Sequence, residues 1–327
     1  MHKEKDILSL SDLHHIPQPF LREGFLLGVE GLPSDTVVSN LETWQLNDKV
    51  YTAGLYTLPL YIYHLAKAHR AGKISLESLL PLWPLLATQL ERLIELREDA
   101  DSGLPFLIDY RESPLPKASY WEMLEAKDKV LEPAFIAIVM VALEAMLYLG
   151  EQLEKDTSTV LQASEMIAFG FNEALWEEEY GIYFPKEVGS DDFIVSNSIG
   201  GILPLLADLP TQEQAEAIYK ALSLNFVHGQ FGYFPSECVE TGKEERIIDP
   251  LANYLLLDGL SRFEFTATGK ALQKQIIDLH KQFGPLDAYP AQKVNPVLSG
   301  AETSETWVAG MVEMVKNDNL VHFSNLD

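Results

Sequence analysis

Three charged residues within four positions, Asp109, Arg111 and Glu112, offer the most direct chemistry in the chain. A carboxylate with a cation beside it can have its ionisation tuned for proton transfer, whereas the same trio on a solvated loop would be an ordinary ion pair. Their setting favours neither reading outright. They lie in the stretch from Asp99 to Trp121, DADSGLPFLIDYRESPLPKASYW, where Pro105, Pro114 and Pro116 prevent any long helix. Phe106, Tyr110, Tyr120 and Trp121 argue that the segment is ordered, so it reads as a structured loop lining a cleft for a polar ligand.

The elements that must hold this loop are helices. Leu55, Leu58, Tyr61, Ile62 and Leu65 recur at helical spacing and predict a helix over 52–71, with Gly72 as its stop. A second is expected from Ser75, its N-cap, towards Arg97, with Pro81 and Pro84 delaying or bending its start. After the loop, Glu132-Pro133 opens an apolar helix to about Leu149, and Thr157 to Trp176 is the next. Ile182 to Phe184 reads as a short strand. Helices are then expected over 196–206, 211–222, 250–263, 266–283 and 303–315, with an aromatic loop FGYFPS at 231–236. This succession, almost without strand-like alternation, predicts an all-α fold of paired helices, an α/α toroid over 51–327. Residues 1–50 read as an irregular segment packing on it, and whether they complete the ring is left open.

Composition narrows the partners. Lys plus Arg total 24 against 49 Asp plus Glu, and the net charge of -25 repels nucleic acid and anionic lipid surfaces. The start, MHKEKDILSLSDLHH, has no continuous apolar run, so no secretory signal and no membrane association are expected. Cys238 is the only cysteine, which excludes an intrachain disulfide and suits a reducing cytoplasm. Adjacent His14 and His15 are too isolated for a metal site, and Glu177 to Glu179 reads as a solvated helix end, so neither metal nor cofactor is expected.

From Glu132 onward, five segments occur in an order that resembles the six-hairpin glycosidases: EPAFIAIVMVALEAMLYLG, ALWEEEYGIYF, GGILPLLADLPTQEQAEAIYKAL, FGYFPS and DPLANYLLLDGLSRF. The chain is similar to glycoside hydrolase family 63, the trehalase-like enzymes, and relatives acting on mannosylglycerate, glucosylglycerate and α-glucosides. The resemblance implies a small saccharide ligand and inverting hydrolysis by a carboxylic acid and a carboxylate base about 6.5–9.5 Å apart. The family's acid motif resembles WESGxDNSP, and neither register gives an Asp: aligning Ser113-Pro114 with its SP places Arg111 there, and aligning Glu112-Ser113 with its ES places Pro116. Asp109 and Glu112 are the nearby substitutes. The family's base precedes a helix start that resembles SETWVAG (304–310), where Glu302 and Glu305 are available. Both could equally be acids at a helix N-terminus.

The same resemblance nominates Arg111, Trp121, Tyr183, Tyr233, Arg246, Asp249, Asn253 and Trp307 for substrate binding. The aromatics would stack on sugar faces and the polar groups would bond hydroxyls, while core packing and helix capping are the competing roles. The segment EERIIDP (244–250) lacks both tryptophans of the family's WRGPVWP clamp. The displaced acid, displaced base and missing tryptophans keep open an alternative, a catalytically degenerate relative that binds a saccharide or a protein. His64, His228 and His280 would suit sugar epimerases on a similar toroid, a third reading.

Overall fold

The protein is described by a computed structural model, which covers residues 52–116, 118–124, 128–196, 198–226, 247–284 and 307–316, with isolated positions between 20 and 46 and at 234, 286, 289 and 290. Its helices are α1 (Thr57–Arg70), α2 (Leu76–Leu79), α3 (Trp83–Arg97), α4 (Pro133–Gln152), α5 (Ser158–Leu175), α6 (Gln212–Asn225), α7 (Pro250–Arg262), α8 (Thr266–Phe283) and α9 (Trp307–Lys316). The strands are two-residue pieces, β1 (Val130–Leu131) with β4 (Lys186–Glu187), β2 (Trp176–Glu177) with β3 (Ile182–Tyr183), and β5 (Ile247–Ile248) with β6 (Tyr289–Pro290), each pair antiparallel.

Burial sorts the helices into two layers. In α1 every residue from Thr57 to Ala68 is buried, in α4 every residue from Pro133 to Leu143, and in α7 every residue from Pro250 to Leu260. A helix covered all round must be internal. By contrast α3, α5, α6 and α8 bury one stripe each, as an outer layer does. α4 is long and apolar enough to cross a membrane, yet 83% of its most apolar window is buried within the fold.

The inner helices run the same way. At their heads, Gly54 N–H donates to the Arg111 carbonyl at 2.7 Å beside α1, and Glu132 at the head of α4 accepts from Ser113. At their tails, His69 Nδ1 lies 2.9 Å from the Tyr148 hydroxyl, and Arg262 of α7 pairs with Glu144 of α4 at 2.8 Å. Each inner helix returns through an antiparallel outer partner, as in α4–α5 and α7–α8. Three helix N-termini therefore converge near the loop end, with partial positive charge there. Close to the tails, a wholly buried ion pair locks α1 to α7: Lys67 Nζ reaches Asp258 Oδ2 at 2.6 Å, and Tyr63 donates to the same oxygen at 2.8 Å.

One expected helix is absent. Over 196–206 the chain forms two 3-10 turns, Ile199–Gly201 and Leu203–Leu206, between α4 and α7. Gly200 and Gly201 weaken a helix there, and Pro204 removes a donor from its middle. The contact with α7 is close: a Cβ on Gly259 would lie 2.7 Å from the Leu205 carbonyl carbon. The proline break before α3 is as expected, with the Ser75 side chain capping α2 and a new helix starting at Trp83. Described residues of the first fifty join the same core. Phe25 packs 4.5 Å from the His64 ring and 5.0 Å from Tyr254, and Gln89 donates to the Leu41 carbonyl at 3.0 Å.

Candidate functional site

The loop after α3 crosses the heads of α1 and α4 and is tied to both. Leu107 pairs with Val130 through two backbone hydrogen bonds of 2.8 Å, drawing the loop against β1 just before α4. Tyr110–Glu112 then forms a 3-10 turn, capped by the Asp109 side chain, and Ser119–Met123 forms a second.

Glu112 faces inward and is wholly buried. Its Oε1 accepts from Arg97 Nη2 and from the Thr52 amide, both at 2.8 Å, and its Oε2 accepts from the Ile108 amide at 2.9 Å. Burial pushes its carboxyl pKa up, while Arg97 and the two amides pull it back. Arg97 is equally buried. With both oxygens engaged by interior donors, Glu112 is placed as the anchor of the loop and offers no oxygen to a ligand.

Asp109 and Arg111 lie at the rim. Asp109 Oδ1 and Oδ2 each take one guanidinium N–H of Arg111 at 2.7 Å, and Oδ1 also takes the Arg111 amide at 2.9 Å. Their side chains are 19% and 32% exposed, so this pair, unlike Glu112, can be reached from solvent. Held in this two-pronged manner, both carboxylate oxygens are engaged by the guanidinium and turn to a ligand only if it moves.

Four of the residues nominated for sugar contact serve the scaffold. Trp121 is buried with its ring 5.2 Å from Tyr120. Tyr183 is fully buried between Phe171 and Trp176, at 4.7 and 5.0 Å, and its hydroxyl donates to Asn172 Oδ1 at 2.6 Å. Asn253 is also fully buried, clasping the backbone N–H and carbonyl of Phe234 at 3.1 and 3.0 Å. Asp249 caps α7 by accepting the Ala252 amide at 3.1 Å. Phe106 and Tyr120 are buried too, so of the loop's aromatics only Tyr110 is partly exposed, and the other three order the loop from within. Trp307 opens α9. Glu302, Glu305, Tyr233, Arg246 and His228 lie outside the described residues.

The histidine reading finds little support in the described residues. His64 is buried on an inner helix, its pKa lowered to about 3 by burial and by Lys67, and Nε2 lies 3.2 Å from the Tyr254 hydroxyl. His280 sits on the outer helix α8.

The residue that sequence reasoning missed is Glu132. It precedes Pro133 at the head of α4, fully buried, and its Oε1 accepts the Ser113 hydroxyl at 2.5 Å and the Tyr120 hydroxyl as well. Oε2 has no hydrogen-bond partner, and no cation faces the carboxyl among the described residues. Burial raises its pKa to about 7, against the opposing hydrogen bonds from Ser113 and Tyr120. The available signal was its position: a carboxylate beside a uniformly apolar helix has no surface to reach. Among the described residues no three metal-ligating side chains converge.

Parallel inner helices, antiparallel outer partners and a long loop across the inner heads define an α/α toroid of the glycosidase kind. Residues 30–236 match the mannosylglycerate hydrolase MGH1-like glycoside hydrolase domain, and the chain belongs to that family. The GH63 mannosylglycerate hydrolase from Thermus thermophilus, solved with glucose, superposes with a TM-score of 0.73 at 16% identity, covering 92% of each chain. An uncharacterised conserved protein from the same organism gives 0.75, also at 16% identity and 92% of each chain. A rhamnosidase from Klebsiella oxytoca gives 0.55 at 16% identity, over 83% of this chain and 47% of that one. At such identities the structures establish the fold. No curated protein matches the chain by sequence.

Proposed function

We propose that the chain is an O-glycosyl hydrolase acting on an α-linked glucoside or a related small saccharide, with inversion at the anomeric carbon. The observation that carries this reading is the membership of the glycoside hydrolase family joined to one loop carboxylate, Asp109, held at the solvent-facing rim above the heads of α1 and α4. Relatives of the same fold have been solved with glucose and with Tris and D-glycerate, which favours a small polyhydroxylated ligand. In this scheme Asp109 protonates the leaving oxygen, and Glu302 or Glu305 activates water on the opposite face of the sugar. Hydrolysis then requires Arg111 to leave Asp109 as substrate enters, because both carboxyl oxygens are otherwise taken up by the guanidinium and neither can face the leaving oxygen. Glu112 holds the loop in place throughout.

A second reading rests on that same clamp. If Arg111 never releases Asp109, the loop presents a fixed ion pair suited to bonding sugar hydroxyls, and the protein binds a saccharide without cleaving it. Hydrolysis assays on α-glucosides, trehalose, glucosylglycerate and mannosylglycerate separate the two, with product anomers followed by proton NMR. Turnover with inversion, lost in Asp109→Asn and in one of Glu302→Gln or Glu305→Gln, is the expected result. Saccharide binding without turnover on the whole panel would replace the first reading by the second.

A further inference from the structure

Away from the loop end, a groove of about 240 Å³ runs between the outer helices α3 and α5. Its floor is apolar, formed by Leu90 and Ile94 of α3, Leu143 of α4 and Val160 of α5. Its α3 edge is a row of carboxylates, Glu91, Glu95 and Glu98, and no Lys or Arg lines it. Among the described residues no Lys or Arg forms an ion pair with any of the three. Glu91 and Glu95 stand one turn apart on the same face of α3, and Glu98, the C-cap that follows the helix, lines the same groove beyond them. On the α5 side the apolar surface continues outward. Met166 lines the groove, and Phe169, one turn beyond it on the same edge, is 81% exposed. With Phe169 one turn along α5 from Met166, the apolar surface open to a partner extends past the groove itself.

We propose that this groove docks a basic amphipathic helix from a partner protein. The charge on the rim selects the occupant. A second copy of this chain would bring a net charge of -25 against the same carboxylates, and an anionic lipid or nucleic acid would be repelled likewise. A helix with Lys or Arg at matching intervals of four and three pairs with Glu91, Glu95 and Glu98 while its apolar stripe enters the groove and meets Phe169. The extent of the surface favours a helix over a small amine, since Phe169 lies beyond the groove itself.

The test uses a fluorescently labelled eighteen-residue peptide of leucine and lysine, with leucine on one helical face. A scrambled peptide of the same composition controls for charge alone. Anisotropy titrations at about 0.15 M salt, where surface charges beyond a Debye length are screened, compare the full chain with three variants. The triple change Glu91→Gln, Glu95→Gln, Glu98→Gln is expected to weaken the amphipathic peptide about tenfold, the sum of three modest exposed pairs. Phe169→Ala is expected to weaken it as well. Removing three exposed charges elsewhere, by Glu77→Gln, Glu213→Gln and Glu216→Gln, is expected to change it less than about twofold. Equal losses in both triples, equal binding of the scrambled peptide, or no binding of the amphipathic peptide would each overturn the proposal. Dispersed chemical shifts in all variants before titration show that they remain folded.

Discussion

Glu112 and Glu132 are both fully buried, and both fasten the same loop, yet their surroundings differ in one respect. Glu112 has a buried guanidinium and two amides sharing its two oxygens. Glu132 has two hydroxyls on one oxygen and nothing on the other. The first anchor therefore has its charge compensated inside the protein by Arg97 and two amides, which oppose the rise that burial causes. The second sits near its titration point at neutral pH, because hydroxyl donors offset only part of the desolvation. Burial raises both carboxyls, and the larger rise, at Glu132, makes the hold on the α4 side of the loop the more sensitive to pH.

The largest way to break this comparison is to remove the cation. Arg97→Met leaves the Glu112 carboxylate buried without its partner and should cost about 3–5 kcal/mol by urea denaturation. Adding Glu112→Gln should recover much of that loss, since the uncompensated charge is then gone. A cost under about 1 kcal/mol for the single change would mean that Glu112 is not a compensated anchor.

Next in size is the titration of Glu132. Its native pKa of about 7 lies above the ordinary carboxyl value of 4.5, so the folded state binds more protons than the unfolded state between those values. Stability should therefore be undiminished by this group below pH 4.5 and fall as pH rises towards and through 7, by about 3 kcal/mol in all. Glu132→Gln should abolish that component of the slope in stability measured from pH 4.5 to 8. An unchanged slope would show that Glu132 does not titrate there.

Smaller effects sharpen the same contrast. Ser113→Ala and Tyr120→Phe each remove a donor to the charged form of Glu132, so each should lose about 1–2 kcal/mol at pH 8 and less at pH 5. Equal losses at both pH values would mean that the hydroxyls act by packing alone. Asp109→Asn disrupts only a rim ion pair and should cost less than about 1 kcal/mol in the same assay.

Much of this was legible in the chain. The apolar run Phe135 to Val141 announced a core helix, and the proline spacing placed the loop and the break before α3. The Lys67–Asp258 pair inside the buried stretches of α1 and α7 was not read from the sequence. Two further things were hidden. The Ile199 to Leu206 stretch is as apolar as a helix, and its glycines and proline prevailed because close backbone contact with Gly259 suits tight turns. The direction of each loop side chain was hidden as well. Asp109 and Glu112 are three residues apart and chemically alike, but the 3-10 turn sends one outward and the other into the core. Short-range sequence carries no sign of that, because Arg97 and Thr52, which receive Glu112, come from distant segments.

The division of labour between those two carboxyls is the central claim, and steady-state hydrolysis of a turned-over α-glucoside by Asp109→Asn and Glu112→Gln tests it most directly. Both variants are assayed well below their melting temperatures, with folding confirmed by circular dichroism. Asp109→Asn should lower kcat by about 10³, the scale of a lost general acid, while folded Glu112→Gln should keep most of its activity and lose stability instead. A folded Glu112→Gln with no activity, beside an active Asp109→Asn, would contradict that division.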